Sequence, residues 1–462
     1  MEIFDTLRNT KTELEFSDKV RIYLCGVTVY DDAHIGHART IIIFDVLRRF
    51  LESQKIPVEL IQNFTDVDDK IIDRAYREKI SPLELAAKYT KNYFDDFDGL
   101  NVKRATSYPK ATDHIQDMQN LISNLIDKKY AYTTKNGVYF SVLKFDEYGK
   151  LSKKHTDDLV SGARVEVDEE KNNPIDFALW KFSDAGPSWD SPWGKGRPGW
   201  HIECSAMSLK YLGENFEIHG GGRDLIFPHH ENEIAQSESS TQKQFAKIWM
   251  HAGMVTINGE KMSKSLGNVK TVNHVLENWG PNIIRLFCLS GHYSKPIDYS
   301  EKLLKENIIK LRQIESCYYE LRFAEGTVDE KDIEKFVIKC ENDFNSALND
   351  DFNTPLALSV FYKLVKEVNS LAADEKITET ISKLILPEFE RMMDVLGIQI
   401  IKVSGDEENE IKQMIKKRDE YREQKNFEEA DNIRIQIAKM NIVFADHKNK
   451  TTWIKQERIK AE

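Results

Sequence analysis

The first hundred residues alternate between two hydrophobic periods, and this alternation constrains the fold more than any other feature. The apolar segments "VRIYLCGV" and "PVELIQNF" have the composition of buried strands. The segments "RTIIIFDVLRRFLES" and "DKIIDRAYREK" have the spacing of amphipathic helices. A strand, helix, strand, helix order predicts a parallel sheet with right-handed crossover connections.

The alternation breaks at about residue 113 and resumes at about residue 200. The intervening residues hold a helix, a hairpin at "AYTTKNGVYFSV" and a loop-rich run, so they indicate an insertion. The segments "ENFEIHGGG", "HHENEIAQSES" and "KIWMHAGMVTI" then return to the α/β pattern. We therefore expect a sheet that is split in sequence. After about residue 301 nearly every segment has helical period, which predicts a helical bundle.

The stretch "VTVYDDAHIGHART" places His34 and His37 around a glycine, directly ahead of a long apolar helix. A helix start presents unpaired N–H groups and a positive dipole end, so two imidazoles there favour an anion such as phosphate. The alternative is an ordinary polar start, in which Asp31 and Asp32 cap the helix.

Four dispersed residues have the chemistry of a metal site. His229 and Glu233 are four apart and share one helix face. Cys25 and Cys204 lie where a parallel sheet exposes its ligand-binding edge, and the combined set of ligands suits zinc. The alternative is that the cysteines are small buried hydrophobes and the other pair is a solvated helix face. Spacing alone leaves both open.

The segment "KMSKS" places Lys261 and Lys264 among hydroxyls beside a glycine. Such a mobile cationic loop can wrap a polyphosphate. The alternative is a charged surface loop.

Composition bounds the class of protein. The apolar and charged fractions, 40% and 31%, are those of a globular domain, and no apolar run is long enough to cross a bilayer. Five dispersed cysteines argue against structural disulfides, so we expect a reduced, cytoplasmic enzyme. The net charge is −11, but residues 447–461 form a basic segment that contains Trp453.

"HIGH" and "KMSKS" in this order, on a split α/β sheet trailed by helices, resemble the class I aminoacyl-tRNA synthetases. The blocks "NFTDVDDKII", "GARVEVDEEK", "DFALWK", "GRPGWHIECSAMS" and "IHGGGRDLIFPHHENEIAQSE" resemble more specifically the cysteinyl-tRNA synthetase family. The likeness is close over residues 1–300 and looser beyond. One departure is Lys450, which stands where the family usually has a glycine in a turn.

The resemblance implies a Rossmann-like parallel-sheet catalytic domain, split by an insertion and followed by an all-α bundle. We expect the two halves of the catalytic domain at 1–112 and 200–250, with the insertion between them at 113–199. A linker domain with "KMSKS" should follow at 251–305, then the bundle at 306–398 and the anticodon-binding region at 399–462.

The resemblance also implies that the chain activates L-cysteine with ATP and transfers it to the 3′ end of tRNA(Cys), as a monomer with no membrane partner. It implies one Zn²⁺ per chain, bound by Cys25, Cys204, His229 and Glu233. Substrate cysteine can bind zinc as a thiolate, which serine cannot do readily, so zinc selects the substrate.

The remaining roles follow from the same resemblance. His34, Gly36, His37 and Lys264 would bind ATP, with Mg²⁺, and the two histidines with Lys261 and Lys264 would be catalytic. The residues implied for substrate binding are Thr65, Trp200, His219 and Asp224, and Trp453 is implied for tRNA stacking.

Two other classes of protein remain as alternatives. An ATP-dependent cysteine ligase that acts on a small amine would keep these motifs, but it has no need of the long helical tail. A non-catalytic tRNA-binding relative would keep the tail but lose the motifs, which are intact here.

Overall fold

A four-stranded sheet, parallel throughout, forms the centre of the protein. The structure is a computed structural model that describes residues 1–155, 170–184, 186–262, 267–325, 332–446 and 451–461. The first part of the chain contributes, in order, β1 (Glu2–Asp5), β2 (Thr10–Glu13), β3 (Val20–Thr28), α1 (Ile35–Ser53), β4 (Val58–Thr65), α2 (Asp69–Glu78) and α3 (Pro82–Gly99).

A second, antiparallel sheet interrupts the first. The chain forms α4 (Ile115–Asp127), β5 (Ala131–Thr133), β6 (Gly137–Phe140), β7 (Phe177–Phe182) and β8 (Gly196–Pro198). These four strands pair in chain order and bury Phe140 and Trp180 in a core of their own. The predicted hairpin is confirmed, since Ala131 lies opposite Phe140.

The parallel sheet then continues. The next elements are α5 (Trp200–Leu212), β9 (Phe216–Gly222), α6 (Glu231–Thr241) and β10 (Ala246–Ala252). The strand order is β10, β9, β3, β4, so β9 inserts beside β3. The split sheet predicted from the sequence is confirmed, and its register places Tyr23 opposite His219.

A small sheet and one helix follow: β11 (Val255–Ile257), β12 (Glu260–Lys261), α7 (Val272–Leu289) and β13 (Ile297–Tyr299). The strands pair in the order β12, β11, β13. Short single-turn helices also connect elements along the chain, at Ala111–His114, Val142–Lys144, Arg223–Leu225 and Ile226–His230.

The C-terminal third is largely helical, as predicted. It contains α8 (Glu301–Arg322), α9 (Ile333–Asn349), α10 (Thr354–Ala373), α11 (Glu379–Leu396), α12 (Gly405–Glu423) and α13 (Phe427–Lys439). At the end of this region β14 (Ile442–Asp446) and β15 (Thr451–Lys455) form an antiparallel hairpin. The apolar runs in "NIVFAD" and "TTWIK" carry this hairpin, and Ile442, Trp453 and Ile454 are buried. Lys450 lies outside the described residues.

A buried charged triad joins the helical region to the sheet. Asp45 of α1 accepts from Arg285 of α7 at 2.6 Å and from Arg49 at 2.9 Å. Arg285 also donates to the carbonyl of Leu396 at the end of α11. All three charged residues are almost completely buried. Because breaking such a network leaves uncompensated charge in the interior, it fixes α1, α7 and α11 relative to one another.

Trp453 is part of the core, which contradicts its predicted role in base stacking. Its side chain is 2% exposed and packs on the rings of Tyr319 and Phe323 at centroid distances of 5.4 and 5.2 Å. Lys455, from the same basic segment, pairs with Glu407. The hairpin therefore uses its aromatic residue to dock on α8.

The described residues contain no helix that is long and apolar enough to cross a membrane. All five cysteines are buried and unpaired. The sequence expectation that they form no disulfide framework is confirmed.

The substitution Trp453→Ala should lower the free energy of unfolding by about 3–5 kcal/mol, because truncating a buried Trp leaves a cavity. Urea unfolding followed by circular dichroism measures the change. Phe427→Ala is the matched control: this side chain is 62% exposed, and its loss should cost less than about 0.5 kcal/mol. Equal, small losses in both variants would contradict the buried position of Trp453.

Candidate active site and metal centre

The N-terminus of α1 is capped by histidine. The Nδ1 atom of His34 accepts from the backbone N–H groups of Gly36 and His37, at 3.1 and 3.4 Å. In return, Nδ1 of His37 accepts from the N–H of His34 at 3.3 Å. The rings stack with their centroids 3.7 Å apart. The alternative in which Asp31 and Asp32 cap this helix is therefore wrong.

This reciprocal capping fixes the tautomer of both rings. Because each Nδ1 accepts a hydrogen bond, a neutral ring carries its proton on Nε2. The histidines thus satisfy backbone donors with one nitrogen and offer an N–H donor with the other. Together with the helix dipole, these donors make the start of α1 a favourable position for an anion.

Gly36 has no space for a side chain. A Cβ at this position would lie 2.9 Å from Cε1 of His34 and 3.4 Å from Cε of Met262. The glycine therefore keeps the His34 ring in place, a role that adds to the close ligand approach predicted from the sequence.

The segment after "KMSKS" is bonded to the histidine motif. The N–H of Ile35 donates to the carbonyl of Lys270 at 3.0 Å, and the N–H of Val272 donates to that of Ala33 at 2.8 Å. Thr271 caps α7 between these two bonds. Lys261 lies in β12, on the other side of the motif. Lys264 lies outside the described residues, but Met262 before it and Lys270 after it both lie beside the start of α1.

The four proposed metal ligands converge. One donor atom from each of Cys25, Cys204, His229 and Glu233 lies within 4.8 Å of the others, and all four residues are buried. The carboxylate of Glu233 is 3.1 Å from Nε2 of His229 and 3.3 Å from Sγ of Cys25. A second group, Cys25 and Glu233 with His219 and His230, meets the same distance criterion.

Convergence follows from the sheet topology. Cys25 lies in β3 and His219 in the adjacent β9, while Cys204 lies in α5. His229 and Glu233 span the start of α6. Because β9 pairs with β3, residues almost 200 positions apart in the chain meet near one sheet edge.

The electrostatics of this cluster favour a cation. Burial opposes ionisation of Glu233, but His219 and His229 outweigh it and hold the pKa of this carboxyl well below its usual range. Burial raises the pKa of Cys25, whereas a hydrogen bond from Cys25 lowers the pKa of Cys204 to about 6. Burial also opposes charge on His229, yet Glu233 and Cys204 raise its pKa to about 10.

A proton on His229 thus balances a buried carboxylate and a thiolate, and a metal ion can replace that proton. Within the described part of the chain, one carboxylate oxygen of Glu233 and Nε2 of His230 have no hydrogen-bond partner. Buried polar atoms normally have partners. The donor set and these atoms fit a metal ion, so the group can bind one.

Two neighbours orient His229. Its Nδ1 atom lies 2.9 Å from Nδ1 of His201. The ring of Trp200 stacks on it at a centroid distance of 4.4 Å. Such contacts fix the orientation of a metal-ligating imidazole. Trp200, predicted to bind substrate, therefore also contacts a candidate metal ligand.

The other predicted substrate residues are dispersed around the same region. Thr65, at the end of β4, is buried and donates to Glu203 at 2.7 Å. Burial raises the pKa of Glu203 well above its usual range. His219 is buried in β9, 3.5 Å from Sγ of Cys25. Asp224 lies at the exposed turn after β9.

Sequence reasoning missed His201 and Arg39. His201 had a signal, because it lies three residues before Cys204 on one helix face. Arg39 had none: the structure alone shows that it is fully buried and donates to the carbonyls of four residues, Gly253, Met254, His292 and Lys295. It fixes the chain around β11 against α1.

The fold and the site define a class I aminoacyl-tRNA synthetase. Residues 12–309 match the family of tRNA synthetases class I (C) catalytic domain, and residues 343–400 match the DALR domain. The structure of Mycobacterium tuberculosis methionyl-tRNA synthetase in complex with methionyl-adenylate has the same fold, with a TM-score of 0.62 at 14% identity over 82% of this chain and 90% of that chain.

Two relatives identify the family more specifically. The cysteine–tRNA ligase of Caldicellulosiruptor saccharolyticus is 47% identical over 100% of both chains. That of Clostridioides difficile is 47% identical over 98% of this chain and 99% of its own. The chain belongs to the cysteine–tRNA ligase family.

Replacing Arg39 tests the contacts around β11. Arg39→Met should lower the free energy of unfolding by about 3 kcal/mol, because four backbone carbonyls around β11 each lose a hydrogen bond from the guanidinium group. Arg48→Met, on the same helix, removes a partly exposed pair with Glu52 and should cost about 1 kcal/mol or less. Urea unfolding of both variants compares them, and a loss for Arg39→Met no larger than the control's would contradict the assignment.

Proposed function

We propose that this chain performs the family reaction, activation of L-cysteine by ATP and its transfer to the 3′ end of tRNA(Cys), with the residues that converge at the start of α1 and at the metal centre. The observation that carries this assignment is the reciprocal capping of His34 and His37, which directs two Nε2–H donors away from the backbone.

His34 and His37 would donate to the α-phosphate of ATP. Negative charge builds there as the carboxylate of cysteine displaces pyrophosphate, and donors that are already oriented stabilise that charge without rearrangement. Lys264, with Lys261, would neutralise the departing pyrophosphate, with Mg²⁺ bound to the nucleotide. The hydrogen bonds from Ile35 and Val272 support this role, because they join the histidine motif to the segment that follows "KMSKS".

Cys25, Cys204, His229 and Glu233 would hold one Zn²⁺, which supplies a position for the thiolate of substrate cysteine. His201 and Trp200 would keep the His229 ring oriented. Serine has a far less acidic side chain, so selection by the thiolate would make a separate editing step unnecessary. Thr65, His219 and Asp224 would contribute to binding cysteine or the adenylate.

The helical region would bind tRNA. The match to cysteine–tRNA ligases extends through it, which supports tRNA as acceptor over a small amine. The catalytic domain would comprise 1–112 and 200–250, with the insertion at 113–199. The linker would comprise 251–305, the bundle 306–398 and the anticodon-binding region 399–462. The catalytic elements all come from one chain, so a monomer would suffice.

Replacing His34 by asparagine separates capping from catalysis. Asparagine is a good N-cap, so the helix should keep its start. The Nε2–H donor is lost, and the rate of cysteinyl-adenylate formation should fall about 10²–10³-fold, with little change in the KM for cysteine. Single-turnover adenylation measures the rate, and circular dichroism checks the fold. A parental rate in a folded variant would rule out the catalytic role.

Replacing Cys204 by serine tests the metal. The variant should lose bound zinc, and its KM for cysteine should rise more than its KM for ATP, because a hydroxyl is a poor zinc ligand. Metal analysis and pyrophosphate exchange provide the two measurements. Cys288→Ser, in a buried position away from the cluster, should retain the metal. Stoichiometric zinc in the Cys204 variant, with unchanged selectivity against serine, would contradict the ligand set.

A further inference from the structure

An acidic cavity of about 360 Å³ lies beside the active site, between α3, the start of α7 and the loop ahead of α1. Four of its lining residues are carboxylates, and none is Lys or Arg. The residues that matter for binding are Asp32, Asn92, Asp95, Asp96, Asn273 and Glu277. The mechanism proposed above uses none of them.

Asp96 is the unusual member of this set. Its side chain lines the cavity, yet the residue is only 6% exposed. Among the described residues, its carboxylate has no hydrogen-bond or ion-pair partner. By contrast, Asp32 accepts from Asn92 at 2.8 Å, and Asp95 pairs with Lys91. Burial, with Asp32 and Asp95 nearby, raises the pKa of Asp96 to about 7.

An unpaired carboxylate inside an acidic cavity favours a cationic ligand, since an opposite charge offsets the cost of burying it. A bare metal ion fits poorly. In the described part of the chain, close clusters of three or more His, Cys, Asp or Glu donors occur only at the metal centre. No three of the cavity's carboxylates lie within 4.8 Å of one another, so the separated charges of a longer molecule match them better.

The protein itself provides an example of the required chemistry. Lys460, near the C-terminus, places its ammonium group 3.7 Å from Glu277 at the edge of the cavity. An amine can therefore approach this edge, and a ligand with several amines could reach Asp96 at the same time.

We propose that this cavity binds an elongated organic cation of the polyamine class, with Asp96 pairing one ammonium group and Asp32, Asp95 and Glu277 contacting the others. Such a ligand would bridge Asp32, two residues before His34, and Asn273, two residues after the Thr271 cap. It would reinforce the hydrogen bonds that join the start of α1 to the segment after "KMSKS".

Titration calorimetry of the full chain with spermidine tests this proposal. The parent should bind one spermidine in a saturable manner. Asp96→Asn removes the buried charge without changing size and should weaken binding at least ten-fold. Asp98→Asn is the matched control, because this residue lies on the same helix but pairs with Arg104 outside the cavity; its affinity should stay within two-fold of the parent's. Equal affinity in the Asp96 and Asp98 variants would overturn the site.

Two further arms keep the test decisive. Asn273→Lys places an ammonium group at the cavity from the exposed start of α7, and it should abolish spermidine binding even if Asp96→Asn fails to fold. Magnesium chloride at matched ionic strength tests the alternative cation. If magnesium saturates the cavity and excludes spermidine, a hydrated metal ion is the ligand and the proposal is wrong.

Discussion

The centre of this protein depends on keeping a carboxylate ionised in its interior. Glu233 is fully buried, next to two cysteines and several histidines. A charge in such a position is stable only if an opposite charge lies against it. His219 and His229 hold the pKa of this carboxyl well below its usual range, and the same geometry allows a metal ion to provide the compensating charge. The residues around this carboxylate come from β3, β9, α5 and the start of α6, so they can compensate its charge only when the fold brings these elements together.

The first backbone N–H groups of α1 also need partners in the folded protein, and histidine rings provide them. Its histidines use one nitrogen each to satisfy backbone N–H groups that a helix leaves unpaired. Serine or aspartate could satisfy the same groups, but neither would retain a second N–H donor. The capping arrangement and the proposed catalytic role are therefore two consequences of one ring orientation. Gly36 preserves that orientation, because any side chain there would contact the His34 ring.

Buried polar contacts, as well as apolar packing, hold the helical region against the catalytic domain. Asp45 and Arg285 join α1 to α7, and Trp453 docks the final hairpin on α8. The segment after that hairpin returns to α7, where Glu457 accepts from Asn282 and the N–H of Ala461 donates to the carbonyl of Asn278. One helix therefore contacts the active-site segment at its start and the C-terminal tail along its length.

The sequence by itself determined the parallel sheet, its interruption and the helical tail, because hydrophobic period is a local property that each segment carries alone. It also located the two histidines and, through family resemblance, the four candidate metal ligands. Spacing alone did not distinguish a metal site from ordinary buried cysteines and a solvated helix face. Only the pairing of β9 with β3 brings them together, and no local pattern encodes which strands are neighbours.

Burial was likewise decided by tertiary structure. The basic segment around Trp453 suggested that this side chain is exposed, and nothing in the sequence indicated where Arg39 lies. Both side chains are in the interior. Their partners, Tyr319 and the carbonyls near β11, are more than a hundred residues away in sequence. The sequence shows which interactions a side chain is able to make. Whether an aromatic ring stacks on a ligand or packs in the core depends on the residues that the fold brings next to it.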